Sequence, residues 1–496
     1  NTTGHSNTAV GGIALDANTT GVNNTAIGYG SLTGNTTGTE NTAIGRGCIA
    51  SNTTGSNNIA IGRSALGSNT TASNNTAVGK EALTANTTGH SNVAVGGTAL
   101  SKNITGSNNV AVGRSALFDH TTGGNNTAIG RHALAESTTG TNNTAVGRES
   151  LKNNTTGAAN VALGANALDS NTTGEDNTAV GNFCGHRIST GSFNTLLGKS
   201  AGQGLTTNGY SVAVGFEALV ASSLSGNNHV ALGFRSMYKN TSGANNSGLG
   251  FRTLHENTTG SSLTAIGNDS LFNNTTGSNN TGGGHNSLIQ NTTGSNNTGF
   301  GKSALQSNTT GGFNSTVGQE SFISNTTGTN NCGLGSSAGR GNTTGSFNIA
   351  IGHNCLRDNQ TSSNNVAIGV NCQLEATGAN NTSVGSNASR LVTGNSNSFF
   401  GTNAGSTTTS GDSNTIIGAS ATASSATVSN EFTLGGSSVA TLRCNVQTIS
   451  SLSDARDKTN VIDLPEGLDF VTKLRPVKFE WATRDGNGKD GSFEHG

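Results

Sequence analysis

A 17-residue unit recurs almost without interruption from residue 1 to residue 424 of this chain. The first copy reads NTTGHSNTAVGGIALDA, and the next three begin at Asn18, Asn35 and Asn52. Counting the copies that gain or lose one residue gives 25 units. Self-similarity at a fixed period of this length is typical of stacked repeat architectures, so the repeat indicates the fold class before any local prediction does.

The restricted positions of the unit are Gly at 4 and 11, Asn at 7, Thr, Val or Ile at 8, Ala at 9, an aliphatic residue at 10, a small residue at 14 and Leu at 15. Positions 7 to 11 predict a short strand, because β-branched residues suit a pleated surface. Since positions 8 to 10 are all small or apolar, we expect both strand faces to be covered, one by the coil interior and one by a neighbouring chain. Leu at 15 is expected to form the second wall of the interior, and both glycines to adopt positive φ.

The composition is compatible with two states, an ordered solenoid and a disordered polar tract. Only 31% of the 496 residues are hydrophobic and 4% aromatic. This is too little for several globular cores but enough for one thin core along an axis. Disorder needs no leucine in fixed phase, so the repeat favours an all-β fold, a parallel β-solenoid or β-roll of 25 stacked 17-residue coils. Such a rod would be about 120 Å long, with the asparagines of positions 1 and 7 stacked as amide ladders.

Charge and motifs exclude several functions. The formal net charge is −1 and charged residues make up 10%, which predicts no nucleic-acid partner and, without a long apolar run, no membrane insertion. Neither a signal peptide nor an initiator Met is present, so we expect a fragment or a processed product. No motif predicts a cofactor or a metal. Four cysteines stand at position 14 and are interpreted as small buried residues, namely Cys48, Cys184, Cys355 and Cys372.

Three segments follow one another along the chain. Residues 1–424 are predicted to be the solenoid shaft, 425–450 a β-rich connector and 451–496 a short α+β domain. The last 46 residues contain 16 charged side chains, both prolines and the only Trp. One residue is inserted near Ser222, and single deletions near Glu375 and Leu391 change the phase.

Two surface features can each be interpreted as structural or as a binding site. A column of cations at position 12 is expected to be a solvated face, with glycan or phosphate contact as the alternative; it comprises Arg46, Arg63, Lys80, Arg114, Arg131 and Arg148. Residues 188–239 are more degenerate and rich in aromatics, which indicates core variation or a sugar-binding bulge; these are Phe193, Tyr210, Phe216, Phe234 and Tyr238.

The stretch 451–481, SLSDARDKTNVIDLPEGLDFVTKLRPVKFEW, contains Ser453, Asp454, Arg456 and Lys458 as Ser-Asp-x-Arg-x-Lys. It resembles the start of the C-terminal intramolecular chaperone of phage tail spikes and tail fibres, the endosialidase type. The resemblance implies that the domain holds three chains together during folding and then cuts itself off. It further implies that Ser453 is the nucleophile, Lys458 its base and Leu452–Ser453 the scissile bond. Family members extend well beyond this length, so residues 451–496 are expected to be the N-terminal part of the domain.

The repeat itself is similar to the head repeats of trimeric autotransporter adhesins, on stretches such as NTAIGRGCI and NVAVGGTAL. Those heads are left-handed parallel β-rolls with three chains side by side, built from shorter units. Both resemblances imply a homotrimer.

Together these features predict a structural protein, a phage tail fibre shaft or receptor-binding adhesin of the virion or extracellular space. Its expected partners are two further copies of itself, a host-surface glycan or protein receptor, and other fibre or baseplate proteins. The alternatives are an extracellular filament carrying N-glycans and a tail spike that degrades polysaccharide. Glycans would be attached at Asn-x-Thr sequons in one column, Asn1, Asn18, Asn35, Asn52, Asn69 and Asn86, with Asn23 and Asn74 in a second.

Overall fold

The computed structural model describes residues 2–221, 225–441 and 443, and the backbone of 478–482 and 489–495. The chain divides into two compact units, Asn1–Ser438 and Val439–Gly496. The first unit is a parallel β-solenoid, as predicted. Its strands form one sheet of 26 strands, in which each strand pairs in parallel with the next along the chain.

All 26 strands of this sheet are three residues long. They are β1 (Thr8–Val10), β2 (Thr25–Ile27), β3 (Thr42–Ile44), β4 (Ile59–Ile61), β5 (Thr76–Val78), β6 (Val93–Val95), β7 (Val110–Val112), β8 (Thr127–Ile129), β9 (Thr144–Val146), β10 (Val161–Leu163), β11 (Thr178–Val180), β12 (Thr195–Leu197), β13 (Val212–Val214), β14 (Val230–Leu232), β15 (Ser247–Leu249), β16 (Thr264–Ile266), β17 (Thr281–Gly283), β18 (Thr298–Phe300), β19 (Ser315–Val317), β20 (Cys332–Leu334), β21 (Ile349–Ile351), β22 (Val366–Ile368), β23 (Thr382–Val384), β24 (Ser398–Phe400), β25 (Thr415–Ile417) and β26 (Phe432–Leu434).

The pairing register follows the repeat and absorbs its irregularities. Most partners are 17 residues apart, as in Thr8↔Thr25. The insertion near Ser222 lengthens this to Val212↔Val230, and the predicted deletion near Glu375 shortens it to Val366↔Thr382. β26 pairs with β25, so the sheet extends by one strand into the segment predicted as a connector.

The interior of each coil is lined by positions 9, 14 and 15. In the fifth coil, residues 69–85, the side chains of Ala77, Ala82 and Leu83 are fully buried. Burying one such leucine contributes about 2 kcal/mol. The four cysteines at position 14 are likewise buried and free, which confirms their interpretation as small core residues.

Where the leucine of position 15 is missing, the neighbouring layer fills its volume. Gly takes this position in four coils, and in two of them, those of Gly202 and Gly405, the large side chains Leu196 and Phe399 stand at position 9 of the same coil. A Cβ on Gly405 would lie 2.2 Å from the Phe399 ring. In these two coils a large side chain on one wall thus faces a glycine on the other.

Each coil turns its corners at non-glycine residues in the left-handed region. In the fifth coil these are Asn74 (φ 65°), Glu81 (φ 60°) and Leu83 (φ 51°), at positions 6, 13 and 15. Such residues cost of order 1 kcal/mol each. Of the three, only asparagine is a type enriched in this region, so the repeat did not predict the other two corners.

The two glycines of the unit have different roles. Position 11 is Gly in every coil, and Gly79 has φ +138° with its missing Cβ only 2.5 Å from the Gly96 carbonyl oxygen of the next coil. The prediction of positive φ at position 4 is wrong. There the reason is space, because a Cβ on Gly38 would lie 2.3 Å from the Gly55 carbonyl oxygen. Four coils accept a side chain at this position, at Ala72, Asn208, Ser362 and Val428.

Two buried amide ladders run along the solenoid and converge on the carbonyl of position 4. Asn75 Nδ2 donates to Asn58 Oδ1 at 3.3 Å and to the Gly89 carbonyl at 2.9 Å. Asn86 Nδ2 donates to the same Gly89 carbonyl at 2.8 Å. The Oδ1 atom of Asn75 in turn accepts from the backbone N–H and Nδ2 of Asn92. The predicted ladders are therefore present, and they satisfy polar groups that the thin coil buries.

The second unit contributes an antiparallel pair, β27 (Lys478–Ala482) and β28 (Lys489–His495). β27 lies one residue beyond the strand that the alternation of VKFEW predicted. The helix predicted at LPEGLDFVTKL lies outside the described residues.

Candidate functional site

The face of the sheet that points away from the coil interior forms one long apolar stripe. We call the side chains at positions 8 and 10 of β1–β26 the outward strand face. Of 31 exposed large hydrophobic residues in the described part of the chain, 19 lie on it. Fifteen stand at position 10, namely Val10, Ile27, Ile44, Ile61, Val95, Ile129, Leu163, Leu197, Leu249, Ile266, Phe300, Val317, Leu334, Phe400 and Leu434.

This stripe is continuous because the parallel register places like residues above one another. Val10, Ile27 and Ile44 are direct neighbours, for example. Twenty-six strands extend it over about 120 Å. Contiguous apolar surface of this size marks an interaction site, and parallel sheets are normally covered on both faces.

The largest side chain in the middle of the outward strand face is accommodated by a gap in the strand before it. Phe300 is 45% exposed, and its ring lies over Gly283, where an added Cβ would be 2.6 Å from the ring. The missing side chain of Gly283 therefore leaves room for the Phe300 ring on the outward strand face. Position 8 of β20 carries Cys332, an exposed free thiol on the same face.

Two arginines of the cation column at position 12 pair with acids in the following coil. Arg63 Nη2 lies 2.6 Å from Glu81 Oε1, and Arg131 Nη2 lies 2.8 Å from Glu149 Oε1. The two arginine side chains are 54% and 48% exposed. Exposed pairs of this kind contribute at most about 1 kcal/mol, so the geometry favours the solvated-face interpretation.

The predicted processing residues Leu452, Ser453 and Lys458 lie outside the described residues, as does Asn1. Their roles stay predictions.

The remaining residues of the first sequon column are ladder asparagines of position 1. Their side chains are at most 1% exposed; they are Asn18, Asn35, Asn52, Asn69 and Asn86. Asn52 Nδ2 donates to Asn35 Oδ1 at 2.7 Å and to the Gly55 carbonyl at 2.9 Å, and this nitrogen is the atom that would carry a glycan. In the folded coil this nitrogen is buried and already donates two hydrogen bonds, and glycosylation of the column stays a prediction. The second sequon series stands at the exposed corner of position 6, with Asn23 and Asn74.

Two histidines replace ladder asparagines in the buried columns. Burial lowers the pKa of His120, which stands at position 1. It lowers the pKa of His229, at position 7, to about 4. The thiol of Cys184 has its pKa raised to about 12 by the same cause, which keeps it unreactive. In the described ranges, no group of three His, Cys, Asp or Glu residues could hold a metal ion, and no helix is long and apolar enough to cross a membrane.

Comparison with known proteins adds one finding at the C-terminus. Residues 453–495 match the model of the family described as chaperone of endosialidase. A search of the curated proteins found no match. The matched segment begins at Ser453, the residue on which the sequence resemblance placed the start of the motif.

The chain therefore combines a long parallel β-solenoid with a C-terminal chaperone-of-endosialidase domain. This arrangement defines a protein of the fibre or tail-spike type. The domain comes from a family of self-cleaving chaperones that act in trimer formation. The combination is consistent with a phage tail fibre or tail spike in the virion or extracellular space.

Proposed function

We propose that this chain is the shaft of a homotrimeric phage tail fibre that presents a receptor-binding surface to the host. Its C-terminal chaperone assembles the trimer and is then released by self-cleavage. The observation that supports trimerisation best is the outward strand face. Three parallel coils that turn this face toward a common axis bury the stripe and leave no apolar sheet face in water.

The size of the face agrees with a permanent association. Obligate interfaces are larger and more apolar than transient ones. Here the apolar residues recur at nearly every coil from Val10 to Leu434. A chain with this stripe in water would associate through it, and identical registers in three copies let like residues meet along the whole shaft.

The mass of the assembled particle tests this proposal directly. Light scattering is expected to give about three times the chain mass of 49.4 kDa. Replacing Ile129 and Leu163 on the outward strand face by Asp should weaken the trimer, because each buries an unpaired charge. Ile104→Asp is the matched control, since Ile104 is 44% exposed but lies off this face. A monomeric wild-type chain contradicts the proposal.

Release of the chaperone is proposed to occur at Leu452–Ser453. Lys458, as a neutral amine, takes the proton from Ser453 Oγ, which attacks the Leu452 carbonyl carbon. The C–N bond breaks as the Ser453 nitrogen gains a proton, and the acyl group passes to the serine oxygen. Water then hydrolyses this ester, leaving a carboxylate on Leu452 and the hydroxyl on Ser453.

Mass spectrometry of the purified chain tests the cleavage step. Ser453→Ala should abolish release of the piece that begins at residue 453, whereas Ser451→Ala should leave it unchanged. Release that continues in Ser453→Ala contradicts the assignment of the nucleophile.

A further inference from the structure

The coils between residues 187 and 272 carry an unusual surface. This span holds seven of the 21 aromatic residues in the chain. Six rings form two columns that we call the aromatic platform: Phe216, Phe234 and Phe251 at position 12, and Tyr238, His255 and Phe272 at position 16. Ring centroids within each column are 4.9–5.5 Å apart and nearly parallel.

Guanidinium groups join the two columns into one rigid surface. Arg235 lies 5.1 Å from the centroid of Phe234 and 5.3 Å from that of Tyr238. Arg252 lies 4.8 Å from Phe251 and is held by Asp269 through two hydrogen bonds of 2.9 Å. The rings are therefore fixed before any ligand arrives, which lowers the entropic cost of binding.

The position-16 column ends at an open depression of about 510 Å³. The residues that line it come from six consecutive coils; they are Arg187, Gln203, Val220, Ala221, Tyr238, Lys239, Thr241 and Thr258. Arg187 and Lys239 are cations among the described residues that line the depression. A depression of this volume beside half-buried aromatic rings is of the size that a small ligand or a short oligomer occupies.

The geometry selects among classes of ligand. Rings about 5 Å apart leave no gap into which a nucleic-acid base could insert. A sugar ring instead lies flat against one aromatic face and offers hydroxyl groups to Gln203 and to threonines of the rim. Lys239 Nζ is 2.6 Å from Glu256 Oε2, an exposed pair that a ligand carboxylate displaces at little cost.

We propose that the depression and the adjoining end of the aromatic platform form a binding site for an acidic polysaccharide. Tyr238 lies against a sugar ring, and Lys239 receives its carboxylate. This deepens the proposed fibre function by assigning the receptor surface to the side of the shaft and its ligand to carboxylate-bearing glycans.

A glycan array tests the site with the full chain. The array carries acidic polysaccharides beside the same polymers after chemical reduction of their carboxyl groups, together with spots of single-stranded oligonucleotide. The labelled chain is expected to bind at least one acidic polymer and to bind its reduced form about tenfold more weakly.

Two variants locate the binding. Tyr238→Ala removes the ring, and other coils have small residues such as Thr84 at this position, so the fold tolerates the change. Gln203→Trp fills the depression without altering Tyr238. Both should weaken binding about tenfold. Tyr29→Ala is the control, because Tyr29 is 60% exposed and lies far along the chain in the second coil.

The possible results separate this inference from the proposed function. Failure to bind any acidic polymer, equal binding of the reduced polymers, stronger binding of the oligonucleotide, or undiminished binding in either variant contradicts the polysaccharide site. Light scattering on the same sample reports the trimer independently. A trimer that fails on the array contradicts the site alone, whereas a monomer that binds contradicts the trimeric fibre alone.

Discussion

His229 makes the solenoid sensitive to acid around β14. It stands at position 7, where most coils have a ladder asparagine, and its side chain is buried. Its Nε2 lies 3.3 Å from Asn240 Nδ2, while Nδ1 has no hydrogen-bond partner among the described residues. Burial disfavours the charged ring and lowers its pKa from 6.5 to about 4, although a hydrogen bond to Gly226 opposes this.

The sign and size of the effect follow from proton linkage. As the pH falls, the unfolded chain protonates near 6.5 while the folded coil still holds a neutral ring. Stability is therefore complete above pH 6.5 and is lost progressively down to about pH 4. Between pH 6.5 and about pH 4 the coil loses about 3 kcal/mol of stability against unfolding. About 2 kcal/mol of this is lost by pH 5, which makes opening of the coil about 30-fold more favourable.

Hydrogen exchange measured by mass spectrometry detects this opening locally, which suits a solenoid whose coils need not unfold together. The comparison is between the wild-type chain and His229→Asn, at pH 7.5 and pH 5. Asparagine restores the ladder residue and does not titrate in this range. Peptides around β14 should exchange about 30-fold faster in the wild type than in the variant at pH 5, and the ratio should shrink at pH 7.5.

Peptides from the third to sixth coils provide the internal control, because they contain no ladder histidine. Their exchange should be the same in both chains at each pH. If the ratio around β14 does not change between pH 7.5 and pH 5, the histidine is not buried as a neutral group and the reasoning is refuted.

Three further substitutions test the coil itself, with unfolding followed by urea titration. Gly79→Ala should destabilise by about 3 kcal/mol or more, since its Cβ meets the next coil at φ +138°; wild-type stability would contradict the close approach. Asn75→Ala should cost about 3 kcal/mol by leaving buried ladder groups unpaired, while the exposed corner variant Asn74→Gly should cost nothing. Phe399→Ala should cost about 4 kcal/mol, and adding Gly405→Leu should restore most of it by recreating the common core; an additive loss would show that the two walls do not compensate.

Much of this fold could be predicted from the repeat. The strands, the leucine wall and the asparagine ladders follow from the residue types at fixed positions, because stacking requires every coil to repeat the same environment. The insertion near Ser222 appeared in the strand register where the sequence placed it. For the C-terminal unit, the motif around Ser453 indicated the family that the comparison found.

The candidate sites were less accessible to sequence reasoning. A strand of three residues is too short for alternation to show which of its faces is buried. The sequence therefore predicted that the apolar residues at position 10 are covered, but not whether by the coil interior or by a neighbouring chain. The sequons at position 1 looked like glycan acceptors because their burial depends on contacts with the coils before and after. The aromatic residues were noted one by one, but nothing local indicates that Tyr238, His255 and Phe272 stack.

The amino-acid sequence by itself determined the period, the strand within it, the thin interior and the chaperone-type C-terminus. Those properties depend on residue types that recur at fixed spacing along the chain. Only the tertiary structure decided the left-handed corner at Leu83, the exchange of core volume between Phe399 and Gly405, the burial of the ladder asparagines and the outward apolar stripe. Each of these is set by atoms on the opposite wall of the same coil or about 17 residues away in the next coil, where a difference of about 1 Å decides whether a side chain fits.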